Sequence, residues 1–444
     1  MHPSLLTINY LIKKGAFLPQ HFILCNAVVS DGQNFILENV NIEIENGLIR
    51  KITNHNKPIN GAIPSYNLRG RLVLPGLLNP HHHLYSALAT GLAPIGPTDT
   101  FQKILENLWW HLDQTLDEES IYYSALNGLM QSIKYGVTTV FDHHASMKSV
   151  SGSLSIIEKV YRELGLKGLL CYEISDRMGM DSVQEQIDEN LNFFQSHQTD
   201  ASLKGLLGMH ANFTLSKDSL EKIAQAKPSN LPIHIHCGEA YSDFEYCVEN
   251  GFAGPVHRLN EFGLLDAQSL LIHCIHLSET DYQILEKVQP IVVSNPESNA
   301  NNNVGMMNLE KIPNYLLGTD GMTGNILGSM RSHFLLRNGN LQSGLDSLFA
   351  KPSRLIQRYF PNAGRLAEGF RADLAVTDYV PVTHVSLENL FYHLVFGIQG
   401  KPMFMTIADG KILYENGKIT QIDEAAANDA IRNAAHTLHR RYYE

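Results

Sequence analysis

The chain has 444 residues, 44% hydrophobic and 18% charged, enough for one large domain and a smaller companion. Its formal charge of −11, with no long Lys/Arg block, would repel a nucleic-acid backbone or an anionic membrane, which leaves small-molecule chemistry. The five cysteines (Cys25, Cys171, Cys237, Cys247, Cys274) are odd in number and form no Cys-x-x-Cys pair, so neither a disulfide framework nor a thiolate zinc site is expected, and a reducing cytoplasm fits.

Met1–His21 carries Lys13 and Lys14 in its middle and lacks the unbroken apolar stretch of a signal peptide. Nowhere is an apolar run long enough to span a membrane, so no targeting or membrane segment is expected. From Phe22 to Arg71, short alternating segments such as Asn41–Ile44 and Leu48–Ile52 are broken by Asn-Gly and Asp-Gly turns, which predicts a small β-region. Beyond Leu72 the pattern changes to apolar runs alternating with segments of helical periodicity, the signature of βα units.

The predicted strands are Leu74–His81, Val137–Asp142, Gly168–Ile174, Gly205–His210, Pro232–His236, Leu270–His273, Ile291–Ser294 and Leu316–Asp320. Helices are expected between them at Asp117–Tyr135, Ser153–Leu164, Ser182–Gln195, Lys217–Ala226 and Glu279–Lys287, and Asn299–Asn303 reads as a polar loop. Eight such units suggest an α/β fold with a closed (β/α)8 TIM barrel. β-character returns at Ala372–Asp378 and Met405–Leu413, and Ile422–Tyr443 reads as an amphipathic helix. The expected organisation is a discontinuous β-sandwich over 22–72 and 368–420, a barrel over 73–367 and a terminal helix over 421–444. Pairing of the two β-regions is inferred because neither is long enough to hold a sizeable core alone.

Side chains at the C-terminal ends of barrel strands converge on one mouth. Here those ends carry His81 and His83, His210, His236 with Glu239, His273, and Asp320 in Gly-Thr-Asp-Gly. Alternate residues of a strand point the same way, so His81 and His83 can hold one ion while His82 faces elsewhere. His81, His83, His236 and Asp320 supply the imidazole and carboxylate donors that one divalent ion such as Zn²⁺ or Fe²⁺ accepts. Such an ion lowers the pKa of its water from 15.7 to about 7, giving a hydrolytic nucleophile at neutral pH.

The motifs "LPGLLNPHHH", "GVTTVFDHH", "HIHCGE", "IHCIHLS", "SNPESN" and "GTDG", in that order and followed by "EGFRADLAV", resemble the amidohydrolase superfamily in its mononuclear deaminase and chlorohydrolase branch. Within it, "LENLWWHLDQ", "CYEISDRMG", "GMHANFTLS" and "NPESNANNNVG" resemble the SsnA-type aminohydrolases. The resemblance implies His81, His83, His236 and Asp320 as ligands, His273 beside the activated water, Glu239 as proton shuttle and His210 as a substrate contact. It implies water addition to a ring carbon, Asp320 taking the water's proton and Glu239 protonating a ring nitrogen and then the departing amine. An amine needs such an acid to leave; chloride does not. The fourth strand end reads Gly208-Met209-His210, with Lys204 at the opposite end, which favours one metal over a lysine-bridged pair. A homodimer is the family habit.

Other residues have plainer roles to set beside functional ones. His234 shares the face of His236 but lies deeper, where a packed histidine is expected; one of His143 and His144 is a candidate pocket residue. Trp109 and Trp110 suit core packing, with Trp110 also a candidate stacking wall for a substrate ring. Arg177, after the third strand, is a candidate grip for a substrate carbonyl or carboxylate.

Overall fold

The structure, a computed structural model, describes residues 20–54, 61–337, 344–398 and 400–444. The reading of Met1–His21 as free of a signal segment falls almost wholly outside the described residues.

The central layer is parallel throughout. One sheet runs in the order Leu77–His82, Val137–His144, Lys167–Tyr172 and Leu203–Gly205, and a second in the order Leu207–Ala211, Ile233–Cys237, Leu270–His273, Ile291–Ser294 and Tyr315–Leu317. Strands such as Leu270–His273 and Ile291–Ser294 read as apolar runs because both faces are covered; Val137–His144 is buried throughout although it carries Thr138, Thr139, Asp142, His143 and His144. The expected fourth strand is split at Leu206, whose amide donates to Leu170 O at 3.0 Å. The two sheets meet through parallel bridges between Ile174 and Met209 and between His82 and Asp320.

The helices follow the sequence signals. Asp117 caps Glu118–Lys134 in a reciprocal box with Ser120. Ser153–Leu164 buries Leu154, Ile157, Val160, Tyr161 and Leu164 along one stripe and ends at Gly165 in the left-handed region, where a glycine carries no Cβ penalty. One expectation is corrected: much of the Asn299–Asn303 stretch is not loop but the last turn of a helix, Pro296–Asn301, opened by a proline whose missing N–H costs nothing at a first turn.

The two end regions share one nine-stranded mixed sheet. The joining pair is Leu72–Pro75 against Leu374–Val376, antiparallel, with Leu74 opposite Ala375. Their apolar faces form one cluster, with Phe22, Leu24, Ile42 and Ile44 from the first region beside Leu374, Met405 and Ile407 from the second. A helix at Glu424–Tyr443 closes the chain and packs on Glu118–Lys134. No helix among the described residues is long and apolar enough to cross a membrane.

A buried ion pair ties the parallel layer to the terminal sheet: Lys167 Nζ lies 2.7 Å from Asp373 Oδ1 and 3.1 Å from Asp409 Oδ1. Lys167 is fully buried, so removing its closer partner strands much of a charge out of water. Asp373→Ala is expected to lower unfolding stability by about 3 kcal/mol, read as a shift in denaturant midpoint; an unchanged midpoint would contradict the role given to the pair.

Candidate active site

The site forms where the two parallel sheets meet. His81 lies near the end of the first strand, Leu77–His82, and His83 just past it, and the backbone amides of Thr319 and Asp320 donate to His81 O at 3.2 and 3.1 Å. The eighth strand stops at Leu317, so Asp320 sits in the turn beyond it rather than on the strand as predicted. That turn passes close to its neighbours: a Cβ on Gly318 would lie 2.4 Å from Asn295 Oδ1, so only glycine fits. Asp320 has φ of 55° and His273 of 74°, left-handed values that aim both side chains inward at a cost in backbone strain.

The donor atoms converge. His83 Nε2 lies 3.2 Å from His236 Nε2 and 3.0 Å from Asp320 Oδ1, and His81 Nε2 lies 3.6 Å from the same oxygen. The four residues are at most 8% exposed. Each ring is tethered through its other nitrogen, leaving Nε2 free to face inward: His83 Nδ1 to His143 O at 2.7 Å, His236 Nδ1 to His210 O at 2.8 Å, and His81 Nδ1 to His234 Nε2 at 2.9 Å. Donors about 2.0–2.1 Å from a tetrahedral ion sit roughly 3.3 Å apart, so these spacings fit a metal. His81 Nε2 is buried without a hydrogen-bond partner, which a cation would resolve. Metal-capable groupings comprise His81, His83, His143 and His236, and His81, His273 and Asp320.

Electrostatics point the same way. Burial drives His81 and His236 toward the neutral, metal-ready form. His83 differs: although burial opposes its charge, the Asp320 carboxylate holds it up to about 9. Burial would raise Asp320 as well, but its contacts with His81 and His83 hold it well below the usual carboxylate range. A proton on His83 thus stands where a cation would satisfy both neighbours.

Glu239 and His273 lie beside this cluster. His273 Nε2 is 3.4 Å from Glu239 Oε2 and 3.5 Å from Asp320 Oδ2, and its Nδ1 pairs with Asn299 Oδ1 at 2.7 Å. Burial, with Asp320 nearby, pushes Glu239 up to about 7, and Asn302 Nδ2 donates to its Oε1 at 3.2 Å. Ser298 Oγ donates to Asp320 Oδ2 at 2.7 Å. Ser298, Asn299 and Asn302 all come from the Pro296–Asn301 helix and the residue after it, and the last two fall in the stretch read as a loop, Asn299–Asn303.

A cleft of about 770 Å³, measured out to its open mouth, covers the cluster. His83, His236, Glu239 and Asp320 line its floor, while Trp109, Trp110, His210 and Phe213 contribute walls. His210 Nδ1 is held by Thr214 Oγ1 at 2.9 Å, and its ring meets Trp110 edge-on. Arg177 is not among the lining residues; its guanidinium pairs with Asp113 Oδ2 at 2.7 Å and lies 4.9 Å from the Trp110 ring centre. Lys204 is far from the cluster's chemistry, its ammonium donating to Gln198 O at 2.6 Å.

Besides Ser298, Asn299 and Asn302, sequence reasoning missed two residues near the strands. His234, expected only to pack, orients His81 and stacks on His143 at 4.5 Å between ring centres. Glu173, following the third strand, lines the cleft while only 1% exposed. His234 lies in "HIHCGE" and Glu173 in "CYEISDRMG", but no spacing gives either one its role, which appears only when distant strands fold together.

The amidohydrolase family's sequence model matches residues 72–413, and the chain belongs to that family. A 5-methylthioadenosine/S-adenosylhomocysteine deaminase from Pyrococcus furiosus is 26% identical over 422 residues, covering 90% of this chain and 97% of that protein. Among solved structures, an adenosine deaminase from Xanthomonas campestris with bound zinc superposes with TM-score 0.79 at 18% identity, covering 94% of this chain and 98% of that one. An atrazine chlorohydrolase from Arthrobacter aurescens complexed with zinc gives 0.76 at 18% identity, covering 93% and 100%.

If His234 orients His81, His234→Leu should weaken metal binding about 10- to 100-fold while every donor remains. Competition with a chelator of known affinity measures this; unchanged affinity would assign His234 to packing alone.

Proposed function

We propose that this protein is a metal-dependent aminohydrolase that removes ammonia from an amino-substituted nitrogen heterocycle of purine, pteridine or pyrimidine type. The observation that carries the reading is Glu239: a buried carboxyl raised to about 7, lining the same cleft as the His81, His83, His236 and Asp320 cluster. A group in that range can deliver a proton near neutral pH, which an amine requires to depart and a chloride does not. The deaminase names of relatives support the same choice.

His81, His83, His236 and Asp320 would hold one divalent transition ion, Zn²⁺ by the relatives' example and Fe²⁺ by the same donor chemistry. When bound, that ion would supply Lewis acidity and an acidified water. Asp320 accepts the attacking water's proton, its Oδ2 held by Ser298. His273, fixed by Asn299, orients the attack. Glu239 protonates the ring nitrogen and then the amine, while Asn302 holds its other oxygen. The product is a carbonyl and ammonia. His210 and Trp110 border the substrate's ring, and Arg177, held by Asp113, packs on the Trp110 ring.

The architecture proposed around this chemistry is a closed (β/α)8 barrel over 73–367, with a β-sandwich from 22–72 and 368–420 and a helix over 421–444. The Ile174–Met209 and His82–Asp320 bridges support closure, and the shared cluster of Phe22, Leu24, Leu374 and Met405 supports the second unit. A homodimer is part of the same reading.

A panel of amino-heterocycles assayed for ammonia tests the reaction. Glu239→Gln is expected to lower kcat by at least about 100-fold with its metal retained. Chloride release or ring opening, without ammonia from any member, would move the assignment to another hydrolysis.

A further inference from the structure

Glu173 is a buried carboxylate whose ion-pair contacts are with the His83 and His143 imidazoles, with no lysine or arginine among them. It follows the third strand, Lys167–Tyr172, and is fixed there by its amide donating to His144 O at 2.8 Å. Its Oε1 is buried, 3.2 Å from His143 Nδ1 and 3.3 Å from His83 Nδ1, yet accepts a well-directed hydrogen bond from neither. His83 Nδ1 is already spent on the His143 carbonyl. The guanidinium of Arg177, which feels the Glu173 charge, is paired with Asp113. Among the described residues no lysine or arginine pairs with Glu173, although it lines the cleft.

A buried carboxylate with unfilled acceptor capacity is costly unless a donor meets it. Its depth limits what that donor can be. Glu173 sits against the ring of His83, whose far nitrogen faces Asp320 and His236, so a group reaching Glu173 lies within about one heterocycle's width of the reacting centre. That position belongs to the substrate's ring rather than to a tail extending from it.

We propose that Glu173 sets the substrate class: it accepts a hydrogen bond from a ring N–H, or a second amino group, on the heterocycle's edge away from the departing amine. The inference rests on the aminohydrolase reading for which amine departs. Substrates would be amino-heterocycles that keep such a donor; alkylation there removes the hydrogen bond and leaves the carboxylate unpaired, which discriminates more strongly than a missing apolar contact.

The test is calorimetric binding to metal-loaded protein of cytosine, adenine and guanine, each beside its ring-N-methylated counterpart, with adenosine and 2′,3′-dideoxyadenosine as further arms. The chain's two tryptophans, Trp109 and Trp110, both line the cleft, so emission changes report whether a ligand enters it. The best-bound base is expected to exceed its methylated form by about 10- to 100-fold. Glu173→Gln, which keeps one acceptor, should narrow that ratio, and Glu173→Leu should bring it to within about threefold, both with metal content unchanged.

A ratio that survives in both variants, or a wild-type protein that binds none of the bases, overturns the proposal. So does loss of metal from Glu173→Gln, which would make the residue a support for the His83 ring, or a Glu173-dependent preference for adenosine over its dideoxy form, which would give the donor to a sugar. Ammonia measured on the same samples separates the two claims: selective, Glu173-dependent binding without ammonia release sinks the aminohydrolase reading and leaves the contact standing.

Discussion

The site depends on a single constraint: imidazole nitrogens and a carboxylate are packed together, out of water, with the far side of each ring already tied down. His83 Nε2 faces His236 Nε2 at 3.2 Å, a contact that two neutral acceptors cannot sustain and a shared cation can. The tethers to His143 O, His210 O and His234 settle which nitrogen points inward. Much of the surrounding fold serves that arrangement. The His82–Asp320 bridge brings the first and eighth strands together, and the left-handed turns at His273 and Asp320 aim their side chains at the same point.

Around the cluster, three short-range devices divide the chemistry. The Pro296–Asn301 helix and Asn302 supply Ser298 to Asp320, Asn299 to His273 and Asn302 to Glu239, so one element sets the positions of three reacting groups. The aromatic wall is stiffened from behind, since Arg177 spends its charge on Asp113 and its face on Trp110. Glu173 stands apart from these pairs: it lines the cleft with no lysine or arginine partner, one oxygen turned toward the His83 and His143 rings.

Much of this was legible in the sequence, for physical reasons. The parallel strands announce themselves because both faces are buried, so Leu270–His273 and Ile291–Ser294 read as apolar runs with polar ends. His81 and His83 stand out because strand alternation gives a two-residue spacing chemical meaning. Asp320 could be named but not located: its strand ends at Leu317, and its position comes from a turn locked by hydrogen bonds to His81, 239 residues away in sequence. The register of Leu74 against Ala375 likewise depends on contacts across 301 positions, for which no local pattern exists. His234 and Glu173 stayed hidden because a histidine in a strand and a glutamate after one are ordinary; their meaning arises only beside His81, His143 and His83. The asparagine-rich stretch looked like loop because helix propensity is poor there, and tertiary hydrogen bonds outweighed it.

The most direct measurement is a crystal structure with anomalous data on both sides of the zinc and iron absorption edges. The account predicts one strong peak, about 2.0–2.2 Å from a nitrogen of each of His81, His83 and His236 and from an oxygen of Asp320. A peak ligated elsewhere, or none in protein supplied with either metal, would contradict it.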